Sequence, residues 1–234
     1  MIDIHNHAIF EVDDGAPSIK ESLKMVLEAE SMGVKAIILT PHFHIGLFNN
    51  IEKVEENYYE LRHRVRDCGI DLYLGYEVFI DSLLHGGEKI AEKLKLNNSP
   101  YLLMELPFDV VPSYSFDILY KLHLNDIIPI IAHPERNRFF VNNFNMFMNF
   151  IENGCLLQLD AASIIGVYGS EVQNFSKKLI KSNLAHFVAS DAHSHEDYKE
   201  WYLAARRNVL KWAGEEYTKR VFFTNAKSII NKTH

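Results

Sequence analysis

Short apolar runs rich in Ile, Leu and Val alternate along the chain with longer stretches whose apolar residues recur every three or four positions. That rhythm predicts strands alternating with helices, as in repeated βα units around a mostly parallel sheet. Seven runs read as strands: Met1–His7, Ala36–Thr40, Leu72–Glu77, Tyr101–Leu106, Ile128–His133, Cys155–Asp160 and Ala185–Ser190. The first helix is expected to start at Ser18, because Ser18-Ile19-Lys20-Glu21 matches a capping box in which hydroxyl and carboxylate satisfy opposing backbone N–H groups. Leu23, Val26, Leu27 and Glu30 continue at helical spacing, and Gly33 suits a left-handed stop. Further helices are predicted over Ile51–Arg66, Tyr114–His123, Asn143–Asn153, Glu171–Asn183 and Lys199–Ala213, with Gly69 and Gly154 as stops.

No Pro/Gly/Ser-rich linker, low-complexity tract or copied repeat divides these elements, so one domain over residues 1–234 and a single closed barrel are expected. Phe144, Phe147, Met148 and Ile151 share helical spacing, and core packing accounts for them.

Composition narrows the function. A net charge of −7 argues against a broad nucleic-acid surface, which needs many Lys and Arg to displace counterions. The start Met1-Ile2-Asp3-Ile4-His5 lacks the basic and apolar regions of a signal peptide, and no apolar run is long enough to span a membrane, so a cytoplasmic protein without membrane insertion is expected. Cys68 and Cys155 do not make a disulfide framework, and neither is followed by Arg six positions on, so a thiolate nucleophile is not indicated.

Twelve histidines remain to be explained, and their positions do so. In parallel α/β barrels the functional groups sit at the C-terminal ends of strands. The first predicted strand ends in His5-Asn6-His7, and a period of two sends both imidazoles to one side. The second leads to Thr40-Pro41-His42, the third to Glu77, the fourth to Glu105, the fifth to His133, and the seventh to Asp191-Ala192-His193. One such histidine alone is more often structural than a ligand. Placing all these groups on one rim, however, would bury repelling carboxylates and unpaired imidazoles at a cost of several kcal/mol, which cations remove. Imidazole and carboxylate without thiolate suit Zn²⁺, Mn²⁺ or Fe²⁺.

The chain resembles the PHP (polymerase and histidinol phosphatase) superfamily, specifically its bacterial capsule-type protein tyrosine phosphatases. The resemblance covers nearly the whole chain. It rests on Asp3-Ile4-His5-Asn6-His7, Val12-Asp13-Asp14-Gly15, Thr40-Pro41-His42, Tyr76-Glu77, Glu105-Leu106-Pro107-Phe108-Asp109, His133-Pro134-Glu135-Arg136-Asn137 and Ser190-Asp191-Ala192-His193. It implies an α/β fold in the form of a distorted seven-stranded (β/α) barrel of the PHP type. It also implies up to three divalent metal ions held by His5, His7, His42, Glu77, Glu105, His133, Asp191 and His193, with Glu77 bridging. Manganese is the frequent metal of the family. The substrate implied is the phosphotyrosine-bearing tail of a membrane-associated bacterial tyrosine kinase that regulates capsular or exopolysaccharide synthesis.

Such a cluster stays net positive, since six cationic charges meet the three carboxylates Glu77, Glu105 and Asp191. It is therefore expected to hold a phosphate dianion and to generate hydroxide that attacks phosphorus in line, with tyrosine phenolate leaving. Arg136 is placed to brace the phosphate, against the plainer reading of an ion pair with a nearby acid. Asp14 either donates a proton to the leaving oxygen or makes an Asx-type turn before Gly15. His44 and His195 are expected off the metal site, as are His63, His85, His123, His186 and His234, and Asp160 is expected to cap or to support.

The segment Gln158-Leu159-Asp160-Ala161-Ala162-Ser163 matches the family only loosely, which bears on substrate contacts, and the end at His234 without a basic tail directs docking to the folded surface. The same metal chemistry would serve a histidinol-phosphate phosphatase. An amidohydrolase also begins with His-x-His, but many need a carboxylated Lys where Glu105 stands. A metal-stabilised docking module would bind metal without turnover. The role of Arg138, the oligomeric state and the metal used in the cell are not legible.

Overall fold

Both faces of the strands are buried, and the two sets of alternating side chains have different partners. On the central strands Leu102, Met104, Ile131, Leu157, Leu159 and Val188 pack in a large cluster with helix residues such as Met25, Val26, Leu61, Leu119 and Leu179. Their neighbours Leu103, Ile130, Ala132, Phe187 and Ala189 pack instead against Ile2, Ile4, Ala36 and Ile38 from other strands, with Leu96, Ala226 and Ile229 joining them. Burial on two faces is why the runs are apolar throughout rather than alternating.

The computed structural model describes residues 1–84 and 87–231, so His85 and His234 lie outside the described residues. Each of the seven predicted runs contains a strand. In chain order they are β1 (Ile2–Asp3), β2 (Ala36–Leu39), β3 (His42–Phe43), β4 (Asp71–Leu74), β5 (Glu77–Phe79), β6 (Tyr101–Glu105), β7 (Ile128–Ala132), β8 (Leu156–Asp160) and β9 (Phe187–Ala189). They form two parallel sheets, β1-β2-β4 and β3-β5-β6-β7-β8-β9. The α/β parallel architecture is as expected, but the pairing is not one continuous closed ladder.

The third run divides at Gly75 into β4 and β5, and a short strand outside the predicted runs, β3, follows the second run beyond Pro41. Pro41 offers no N–H. Gly75 occupies a place where a Cβ would stand 2.6 Å from Leu96 Cδ2. The step keeps its hydrogen bonds, because Gly75 N–H donates to Leu39 O at 2.9 Å and Glu77 N–H to Pro41 O at 3.1 Å. It sets His42 opposite Glu77 at the start of the second sheet.

The first and last runs meet along a seam. His7 N–H donates to Ala192 O and Asp191 N–H to His5 O, both at 3.0 Å, with Asn6 and Ala192 in a parallel bridge. Below it, Asp3 accepts the Ser190 N–H at 2.9 Å, the Ser190 hydroxyl at 2.6 Å, and the Tyr198 hydroxyl.

The helices differ from expectation in detail. Ser18 caps the helix Ile19–Ser31 through Glu21 N–H, but Glu21 does not complete the capping box; its carboxylate accepts the His195 N–H at 2.9 Å instead. Gly33 and Gly154 take the left-handed conformation expected of helix stops, whereas the second helix ends at Arg64, ahead of Gly69. The last long helix runs over Leu203–Lys219 with a kink at Gly214 and follows a π-turn at Tyr198–Tyr202. Among the described residues no helix is long and apolar enough to cross a membrane.

Candidate metal centre

Every ligand-type residue singled out at a strand end reaches the same rim. His5 and His7 follow β1, His42 and Glu77 open β3 and β5, Glu105 closes β6, His133 follows β7, and Asp191 and His193 follow β9. His133 and Asp191 take left-handed backbone, φ 30° and 51°, a costly conformation for residues with side chains and one that collects at functional sites.

At the centre, His5 Nε2 and His7 Nε2 stand 3.1 Å apart. Glu77 Oε2 lies 3.1 Å and 3.4 Å from them, and Asp191 Oδ1 lies 3.2 Å and 3.3 Å. A second group, His7, Asp14, His42 and His193, overlaps the first through His7, and a third, His42, Glu77 and Glu105, overlaps both. Asp14 Oδ1 sits 3.3 Å from His42 Nε2 and 3.5 Å from His193 Nε2. His133 reaches Glu77 Oε1 at 2.8 Å and Glu105 at 3.9 Å.

Supporting hydrogen bonds fix which nitrogens face inward. His7 Nδ1 lies 2.8 Å from Asp13 Oδ2 and His5 Nδ1 lies 2.9 Å from Gln158 Oε1. Both partners are acceptors, so both Nδ1 atoms carry a proton, and each ring in its neutral form presents its Nε2 lone pair to the rim. Asp13 also accepts the Gly15 N–H at 3.0 Å, which makes Asp13, not Asp14, the turn-forming residue. Gly15 is required there because a Cβ would fall 2.2 Å from His7 O.

Sequence reasoning assigned no role to Asp13 or Gln158. Asp13 lies within Val12-Asp13-Asp14-Gly15, and Gln158 is the single amide within the apolar run Cys155–Leu159. Asp160, at the end of the same strand, caps the helix Ala161–Ile165 through Ala162 N–H, in line with its expected capping role.

Two lone pairs and two carboxylates converging in a buried space are mutually unfavourable without positive charge. The metal-free cluster meets that need with protons. Burial opposes a charged His5, yet Glu77 and Asp191 outweigh it and push its pKa to about 9. Glu77 likewise overcomes burial and lifts His42 to about 10. Glu77 itself, against the effect of burial, is held well below the usual carboxylate range by His5 and His42. Burial and the charge of Glu77 raise Glu105 to about 8. Glu77 Oε2 is buried and faces only imidazole nitrogens, His42 Nδ1 at 2.8 Å, His5 Nε2 at 3.1 Å and His7 Nε2 at 3.4 Å, with no other partner among the described residues. A carboxylate oxygen facing imidazole nitrogens alone fits a divalent cation, and the donors are those that zinc, manganese or iron accept. No thiol competes, since burial pushes Cys155 up to about 12.

Arg136 borders the cluster. Its Nη1 donates to Asp191 Oδ2 at 3.0 Å and faces Asp160 at 3.9 Å. The guanidinium carbon lies 4.6 Å from the Phe108 ring centre and 4.3 Å from that of Tyr168. The ion pair weighed as the plainer reading is therefore present, in a setting that also exposes the guanidinium to a cavity. Arg138 is elsewhere, exposed and 3.2 Å from Asp109. His44 packs on Phe79, His195 pairs with Glu21, exposed His123 bonds Asn153 O, and His186 accepts the Leu157 N–H; none joins the rim, and His63 is exposed on its helix.

CapC of Staphylococcus aureus is 42% identical over 197 residues, covering 83% of this chain and 77% of its own. A solved structure from work on YwqE of Bacillus subtilis and CpsB of Streptococcus pneumoniae, described as unique metal-dependent tyrosine phosphatases, superposes with a TM-score of 0.89 at 33% identity. That match covers 100% of this chain and 96% of the other. A histidinol phosphate phosphatase from Lactococcus lactis shares the fold at a TM-score of 0.55 and 16% identity, covering 91% of this chain and 93% of its own. The family model for capsular polysaccharide synthesis, CpsB/CapC, matches residues 1–231, and the chain belongs to that family.

Proposed function

We propose that this chain is a metal-dependent protein tyrosine phosphatase, a phosphoric monoester hydrolase built as one domain over residues 1–234. We read its two sheets as a distorted seven-stranded barrel whose seam lies between residues 5–7 and 190–192. The observation that carries the reading is the convergence of His5, His7, Glu77 and Asp191 beside a guanidinium fork at Arg136. The likeness over the whole chain to metal-dependent tyrosine phosphatases supports the choice of reaction.

His5, His7, His42, Glu77, Glu105, His133, Asp191 and His193 would hold up to three divalent cations, manganese foremost, with Fe²⁺ or Zn²⁺ as alternatives. When bound, such cations polarise phosphoryl oxygens and acidify water toward a pKa of about 7. The chain's own groups do the rest. Asp13 and Gln158 fix the tautomers of His7 and His5. Arg136 braces the phosphate through N–H groups that make no other side-chain hydrogen bond among the described residues. In the metal-free protein His193 and His42 hold the Asp14 carboxyl well below its usual range, and we assign Asp14 a place at the rim beside these two rings. A phenolate, whose conjugate acid has a pKa of about 10, leaves without the full protonation an alkoxide needs.

The substrate we assign is a phosphotyrosine-bearing tail of a tyrosine kinase at the cytoplasmic face of a capsule or exopolysaccharide system. The test is kcat/KM on a phosphotyrosine peptide and on histidinol phosphate, with manganese and with a chelator. Preference for the peptide, lost on chelation and in His5→Ala and Arg136→Ala, is expected. Preference for histidinol phosphate would transfer the assignment to that small-molecule reaction.

A further inference from the structure

The cavity beside Arg136, about 510 Å³ in volume, has an aromatic and aliphatic part formed by Phe108, Tyr168, Val141 and Val172 and a charged part that includes Arg136, Arg138, Asp109 and Glu171. We propose that this cavity is the subsite for the aromatic ring of the phosphomonoester, with Phe108 and Tyr168 selecting an aryl over an alkyl leaving group. The proposal rests on the phosphatase reading above and deepens it.

Phe108 lies in the loop that follows Glu105 at the end of β6, and Tyr168 lies in the turn ahead of the helix Ser170–Lys181. Both are large aromatic residues left 40% and 39% exposed, and their rings flank the same guanidinium. Phe108 also stands 5.7 Å from the His133 ring, so it spans the gap between the metal rim and the cavity. With a phosphate braced by Arg136, the buried His5, His7 and Glu77 close the floor of the site, and the aromatic wall is the side of the opening nearest Arg136, the partly exposed His42 and His193 bordering the other.

A flat ring gains from offset or edge contacts with Phe and Tyr that a short alkyl chain does not make. The cavity is also within the range of pockets that enclose small organic groups, which leaves room for the tyrosyl ring with part of its peptide. The ion pair of Arg138 with Asp109 stands among the residues lining this cavity, where it meets peptide rather than phosphate. The two aromatics thus have a use that supporting Arg136 does not exhaust, and the two roles separate experimentally.

The experiment compares phenyl phosphate with butyl phosphate, and a phosphotyrosine peptide with its phosphoserine counterpart, in manganese-loaded wild type, Phe108→Ala, Tyr168→Ala and Tyr168→Phe. Inorganic phosphate serves as a competitive inhibitor that reports Arg136 directly. In both alanine variants kcat/KM on the aryl esters is expected to fall about tenfold or more, and on the alkyl esters by no more than about threefold. Tyr168→Phe is expected to restore the aryl preference. Equal losses on both ester classes, with weakened phosphate inhibition, would show that the rings only hold Arg136 and would overturn the proposal; so would no loss on either class. A wild type that binds phosphate yet cleaves neither class would sink the phosphatase reading itself, a result distinct from equal losses in an active enzyme.

Discussion

Two buried polar clusters share the first strand run, and they are built on opposite terms. Asp3 is fully enclosed by donors: Ser190 through backbone and hydroxyl, and Tyr198. Two residues on, His5 meets His7, Glu77 and Asp191, where the only fixed cation beside the carboxylates among the described residues is Arg136 on Asp191, and Glu77 Oε2 faces only the ring nitrogens of His5, His7 and His42. Both clusters are inaccessible to solvent, so burial does not distinguish structure from function here. Completion does. The Asp3 network is finished by the chain and closes the seam; the rim is finished only by something the chain does not supply.

The strongest way to break this contrast is to remove the bridging charge. Glu77→Gln should lower phosphatase activity by about a thousandfold or more, on the order of 4 kcal/mol of transition-state stabilisation. It should also abolish the rise in Tm on adding manganese. An active variant, read by steady-state kinetics, would dissolve the distinction.

Asp3→Ala should do the reverse. It strands the Ser190 and Tyr198 donors and should cost about 3 kcal/mol of stability, a drop of roughly 6–12 °C in thermal unfolding, while the folded fraction still binds manganese. Gln158→Ala sharpens the comparison from inside the rim, since it frees the His5 ring without removing a ligand. Metal affinity measured by calorimetry should weaken by about 10–100-fold with the fold retained.

The smallest effect is a pH dependence. Because His5 and His42 are raised from 6.5 to about 9 and about 10 in the metal-free protein, their stabilising contribution is complete below pH 6.5. It is lost as pH rises through those values. Glu77 and Asp191, held below their usual range, remain ionised throughout that window. The metal-free Tm should therefore fall from about pH 6.5 toward 9, and the gain on adding manganese should grow as fewer protons compete. A gain that shrinks with rising pH would contradict the assignment of protons to these imidazoles.

The sequence made the rhythm of the fold legible because burial on two faces leaves long apolar runs at regular intervals. The break at Pro41 is legible, because the apolar run ends at Thr40, whereas the break at Gly75 is not: apolar character continues from Leu74 to Tyr76, and only the third dimension shows Leu96 pressing on Gly75. The capping box at Ser18 was half legible for a similar reason: Glu21 has the right spacing, but His195, 174 residues away, offers it a better partner.

The rim was legible as residue types at strand ends. The residues that orient it were not, since Gln158 reads as one polar residue in a strand, and Asp13 stands beside Asp14 with nothing in the chain to say which forms the turn. Arg136 shows the same limit, because its aromatic flanks come from Phe108 and Tyr168 on separate loops.

The central claim is that the rim is completed by cations, and anomalous diffraction at the manganese edge from crystals soaked in manganese tests it most directly. The account predicts peaks between His5, His7, Glu77 and Asp191, with further density toward His42, Glu105, His133 and His193. A rim without anomalous density at saturating manganese, its imidazoles still paired to the carboxylates through protons, would contradict it.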